Sequence, residues 1–106
     1  MSSSGVLRLC AADALAPGAM RRFEPVGADP ILLCNVDGAF HAVEDDCTHA
    51  LASLSEGELD GAVIACPLHG GRFDVITGQA LRLPCKQPLR TYPVTVIDGE
   101  VWVELP

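Results

Sequence analysis

The sequence predicts an all-β protein, an antiparallel sandwich or barrel. Three observations carry that expectation. Apolar runs rich in Val, Ile and Leu are short and separated by turn residues. The dipeptide Asp-Gly occurs at 37–38, 60–61 and 98–99, each time just before an apolar run. It suits a two-residue hairpin turn whose central residues both need positive φ. No stretch sustains a helical period, which leaves strands as the repeating unit.

Taken in order, residues 6–10 read as a first short strand. Residues 11–17 have weak helical character that breaks at Pro17-Gly18, so they form a turn region. Residues 20–26 form a second strand, ended by Gly27-Ala28-Asp29-Pro30. Ile31–Val36 is a stronger strand, and residues 39–43 return from it across Asp37-Gly38. Residues 63–65 and 72–75 flank a loop. Residues 89–97 and 100–105 close the chain as a final hairpin. The stretch 47–74 is an excursion from the sheet.

At 106 residues the chain has the size of one domain with a modest core. Only five residues are aromatic although 49% are hydrophobic, so Val, Leu, Ile and Ala must fill the interior. No apolar run approaches the roughly 18 residues of a membrane helix. The start, Met1 to Arg8, lacks the basic and apolar segments of a signal peptide, which predicts a cytoplasmic protein. Formal charge is −7, from 14 acidic and 7 basic residues. That balance argues against nucleic acid or an anionic membrane as partner and suits steering toward a positive docking face.

Chemistry concentrates in Cys47-Thr48-His49 and Cys66-Pro67-Leu68-His69, separated by the sixteen residues 50–65. Each arm offers one thiolate and one imidazole. A single zinc ion could take all four, but zinc fingers usually pair Cys with Cys and His with His along the chain. Mixed arms fit a two-metal object better, a [2Fe–2S] cluster with both Cys on one iron and both His on the other. Three further cysteines, Cys10, Cys34 and Cys85, make an odd set unsuited to a framework of bridges; buried free thiols are the expectation for the first two. His41 sits in an alternating strand pattern and is expected on its surface, not as a ligand. Arg21-Arg22 and Glu44-Asp45-Asp46 are expected as solvated charges, and Trp102 as sheet packing. No G-x-G-x-x-G, P-loop or H-E-x-x-H is present, so nucleotide binding and zinc proteolysis have no support.

These arms, extended by Gly70-Gly71 and Phe73-Asp74, resemble the Rieske signature. The likeness also runs through residues 44–47, 52–57, Leu59-Asp60-Gly61 and Thr77-Gly78. It is similar to the small soluble ferredoxins of bacterial aromatic-ring-hydroxylating dioxygenases, such as those for carbazole, biphenyl or toluene. The resemblance implies a Rieske-like antiparallel β-sandwich over residues 1–106 with a cluster-binding region at about 44–75. It implies one [2Fe–2S] cluster on Cys47, His49, Cys66 and His69. Gly70 and Gly71 would let backbone N–H groups approach the sulfides. Leu51 and Leu68 would cover the cluster and add an apolar docking patch. The loop containing Cys85 would lie close by, with Cys85 no ligand.

A Rieske oxygenase also needs a mononuclear iron held by two His and a carboxylate. The chain has three His and the cluster would use two, so the expectation is a carrier, not an enzyme. The resemblance supplies its partners, a flavin-containing NAD(P)H reductase as donor and a terminal ring-hydroxylating oxygenase as acceptor, with the carrier itself a monomer. Two alternatives stand beside it: the Rieske-like small subunit of an assimilatory nitrite reductase, and a zinc-stapled interaction module. High-potential respiratory relatives carry a loop-joining disulfide where this chain has Ala52 and Leu68, and Ser and Tyr hydroxyls where it has Gly71 and Phe73. Lacking these donors, the cluster is expected near the low end of the Rieske range, around −150 mV.

Overall fold

In the computed structural model, residues 5–48, 52–68, 70–83 and 86–105 are described. They build three antiparallel sheets. In the first, β1 (Gly5–Ala11), β11 (Glu100–Leu105) and β10 (Val94–Ile97) lie side by side in that order. The second orders β2 (Met20–Phe23), β3 (Ile31–Val36), β4 (Ala39–Glu44) and β9 (Thr91–Tyr92). The third runs β5 (Glu58–Asp60), β6 (Val63–Ala65), β7 (Arg72–Asp74) and β8 (Ala80–Arg82). Helical structure among the described residues is limited to two single turns of 3-10 helix, Ala12–Ala14 and Leu54–Glu56.

All three Asp-Gly sites turn hairpins, but not in the same way. Asp37-Gly38 and Asp98-Gly99 occupy the two central turn positions, with φ of 55° and 93°, and 51° and 76°. Their flanking pairs are Val36 with Ala39 and Ile97 with Glu100. At the middle site Asp60 still pairs with Val63, so Gly61 and Ala62 make the turn and only Gly61 carries the positive φ. Pro93 divides the expected strand 89–97 into β9 and β10 because it has no N–H for the ladder. The two pieces join different sheets.

Strand β3 explains how the sheets cohere. Its Leu32 and Cys34 belong to one core with Val43, Leu54, Ile64, Phe73, Val75 and Leu89. Its Ile31 and Leu33 belong to another with Leu9, Leu15, Tyr92, Val101 and Val103. Alternate side chains on a strand point to opposite faces, so a run buried on both sides reads as continuous Ile-Leu-Leu-Cys. Both cysteines buried here, Cys10 and Cys34, are free thiols, as expected. Burial pushes the Cys34 thiol up to about 12, with the nearby Asp45 charge adding to the rise.

Candidate metal centre

Two cysteine loops are built to one plan. Asp46 bridges Ser53 across the first, and the Cys47 amide donates to the Ala52 carbonyl at 3.0 Å. Ala65 pairs with Arg72 across the second, and the Cys66 amide donates to the Gly71 carbonyl at 2.7 Å. Each loop therefore runs from its Cys to an acceptor five positions later. Gly70 has φ of 71°, the left-handed region that lets the second loop turn back. Between the loops, Gly57 just before β5 lies against the end of β6, where a Cβ would be 1.9 Å from the Ala65 carbonyl oxygen. Only glycine fits there.

Cys47 and Cys66 are both buried in the core that includes Cys34 and Phe73. Burial raises the Cys66 thiol pKa most, an amide hydrogen bond from Leu68 lowers it, and a hydrogen bond and charge from Cys47 raise it. The two sulfurs are thus direct neighbours. A pair of adjacent buried thiols resists double ionisation unless a cation sits against both. Two thiolates on one metal suit this donor set, and the amide aimed at Cys66 suits a ligand sulfur. His49, Leu51, His69 and Cys85 lie outside the described residues.

Polar contacts hold the first loop from beneath, and here the structure corrects the expectation of solvated charges. Asp45, two residues before Cys47, is completely buried. Its carboxylate accepts from Arg22 Nε at 2.9 Å, from the Ser55 amide at 2.8 Å and from Ser55 Oγ at 3.2 Å. Its amide donates to Pro30 O at 3.0 Å, and its carbonyl accepts from the Leu54 amide at 2.7 Å. Glu44 is engaged too, accepting from the Arg90 amide at 2.7 Å. Of the acidic run only Asp46 is exposed. The Arg22 partner lies 23 residues away, a separation with no sequence signal.

Thr48 Oγ1 donates to Gln87 O at 2.8 Å, which ties the first loop to the segment after β8. Beyond the second loop, Phe73 is fully buried, while Asp74 Oδ1 accepts from the Ile76 and Thr77 amides at 2.8 and 3.3 Å. That turn sends the chain back into β8. Leu68, expected to cover the centre, is 42% exposed and so adds apolar surface at the loop tip. His41 lies in β4 opposite Cys34, half-buried and away from both cysteine loops in the chain. Trp102 is partly buried in β11, with Arg8 and Thr95 opposite it.

Comparison with known proteins gives this arrangement a context. A family model for the Rieske [2Fe-2S] domain matches residues 5–93. Ferredoxin CarAc of Metapseudomonas resinovorans is 52% identical over 97 residues, spanning 92% of this chain and 91% of the relative. The ferredoxin component of biphenyl 2,3-dioxygenase from Rhodococcus jostii (strain RHA1) is 48% identical over 98 residues, spanning 92% and 91%. A solved complex of reduced oxygenase and oxidized ferredoxin in carbazole 1,9a-dioxygenase contains a chain similar at a TM-score of 0.90. It is 51% identical, with 92% of this chain and 91% of that one covered.

Proposed function

The chain belongs to the Rieske [2Fe-2S] family, and on that premise we propose that it carries single electrons between two proteins of an aromatic-ring dioxygenase system. The donor is a flavin-dependent NAD(P)H reductase and the acceptor a terminal oxygenase that dihydroxylates an aromatic compound. The relatives named above are ferredoxins or ferredoxin components of nearly the same extent as this chain. The carrier does no chemistry on the aromatic substrate. We read the carrier as a cytoplasmic monomer. Among the described residues no helix is long and apolar enough to cross a membrane.

The observation that carries this reading is the pair of matched loops that put the Cys47 and Cys66 sulfurs together. Cys47, His49, Cys66 and His69 are the proposed ligands, within a single domain whose cluster-binding region spans about 44–75. When bound, the cluster takes up and returns one electron at a potential set by its ligands and surroundings. The chain's own residues do the rest. The buried Phe73 and Leu54 shield the sulfurs from water on the inner side. The Leu68 amide offers positive charge to the Cys66 sulfur. Asp45 and Thr48 fix the first loop against β2 and the segment after β8.

Iron and acid-labile sulfide analysis with electron paramagnetic resonance of the reduced protein tests the reading. The expected result is iron and sulfide in equal amounts with a reduced-state signal. Zinc without sulfide would sink it and return the chain to a stapled interaction module. Reduction by the reductase with no onward transfer to any dioxygenase oxygenase would shift the case toward a different acceptor, such as a nitrite reductase.

A further inference from the structure

On the outer face of the third sheet, one row of cross-strand neighbours reads Glu58, Ala65, Arg72 and Arg82. Ala65 and Arg72 are the residues that flank the second cysteine loop, so this row lies at the loop's base. Arg72 and Arg82 are both exposed and directly opposite each other. Like charges so placed across an antiparallel pair repel. Neither guanidinium makes an ion pair or hydrogen bond among the described residues, although the chain holds 14 acidic side chains. Glu58 stands two strands from Arg72, about 10 Å away between backbones at the usual strand spacing, and makes no ion pair with it.

The register makes the arrangement harder to dismiss as chance alternation. Phe73 pairs with Ala80, but Arg72 pairs with Arg82, so one residue of β8 is extra. Without that irregularity, Ala80 inward would place Arg82 inward as well. The extra residue turns Leu81 and Arg82 both outward, with Leu81 48% and Leu83 68% exposed. Bulges re-aim side chains in this way next to functional sites. The outcome is two guanidinium groups beside bare leucines at the edge of the redox centre, on a protein of net charge −7.

Resting on the carrier reading, we infer that Arg72 and Arg82 form a carboxylate-docking pair, used by a protein partner that presents acidic side chains beside its own redox centre. Guanidinium groups match carboxylates in a forked, two-bond geometry that lysine cannot reproduce. The exposed leucines supply the apolar contact around them. The pair gives an otherwise acidic carrier one local face of opposite sign, so a partner can be oriented with its redox centre toward the second loop.

The test uses the whole cluster-loaded protein, reduced with dithionite and mixed in stopped flow with tris(oxalato)cobaltate(III), a trianion whose outer atoms are carboxylate oxygens. Net charge alone requires this oxidant to be repelled, so its rate would rise as salt screens the repulsion. The docking pair requires the opposite, a rate that falls with salt. In R72Q/R82Q the slope should reverse, with the low-salt rate lower by about tenfold. R72K/R82K should keep the sign of the wild-type slope, and both variants should keep the wild-type spectrum and midpoint potential. A wild-type rate that rises with salt, or a slope unchanged in R72Q/R82Q, would overturn the proposal. So would a glutamine effect accounted for by an altered potential. The terminal oxygenase of carbazole 1,9a-dioxygenase tests the carrier reading separately. If wild type passes it no electron while the trianion result holds, the carrier assignment fails in that system and the docking pair stands.

Discussion

The two cysteine loops share their length and their closing hydrogen bond, yet they are held by different means. The second hangs from β6 and β7, whose backbone ladder continues on both sides of it. The first has only an isolated bridge, Asp46 with Ser53, and its support is a buried carboxylate. Asp45 gathers Arg22 from β2 and Ser55 from the turn after the loop. A ladder spreads its energy over many amides, whereas the first loop adds to a few backbone bonds one carboxylate in a low-dielectric site. Such networks are stable only when every member is satisfied, and no described buried side-chain polar atom lacks a partner.

Removing the metal centre should weaken both loops, whatever holds each of them. Cys47→Ala, Cys66→Ala and His69→Ala should each abolish normal cluster assembly, because metal binding supplies part of the folding free energy. Iron and sulfide content, read after purification, checks this. His41→Ala should retain both in full, and a His69→Ala protein with an unchanged spectrum would dismiss the ligand set.

Asp45→Ala should break the comparison in one direction only. It leaves the Ser55 amide without its acceptor and takes from Arg22, which is exposed and still paired with Glu24, one of its two carboxylates, a loss of about 2 kcal/mol, chiefly for the orphaned amide. Urea denaturation measures the loss. The cluster should also be stripped by chelator faster than in wild type, and Asp45→Asn should fall between the two. Equal stability of Asp45→Ala and wild type would mean the ladder of the second loop suffices for both.

Alkali probes the floor under both loops. The Cys34 thiol is raised from 9.0 to about 12 in the folded chain. A raised folded value contributes stability that is complete below the unfolded value and is lost as pH climbs through the folded one. By pH 10 the loss from this group is about 1 kcal/mol. Wild type should therefore lose stability between pH 8 and 10 more steeply than Cys34→Ala, as read by denaturation at each pH. Thr48→Val should have the smallest effect, about 1 kcal/mol or less for one partly exposed hydrogen bond. Its value is directional: the first loop should loosen relative to the segment at Gln87, with the second loop unmoved.

The contrast also separates what the sequence reveals from what it hides. Strand Ile31–Val36, strand Val63–Ala65 and the last strand were legible because alternation and Asp-Gly turns are local signals. β5 escaped notice because Glu58-Leu59-Asp60 offers one apolar residue, and β8 because its extra residue breaks the alternation. The cysteine positions were legible from spacing. The network under the first loop was not, since Arg22, Asp45 and Ser55 meet through tertiary packing. An Asp beside two other acids reads as solvated until its neighbours are known.

Strand β3 has a consequence for the time domain. With Leu32 and Cys34 in one core and Ile31 and Leu33 in the other, and with β2 and β4 bonded to its two edges, it has no open side. Deuterium reaches such amides only when the whole chain unfolds, while loops and edge strands open alone and more often. The amides of Leu32 and Leu33 should be the last to exchange, and their rate is a clock for the rarest event in the molecule. A variant that weakens either core would quicken that clock, whichever side of β3 it touches.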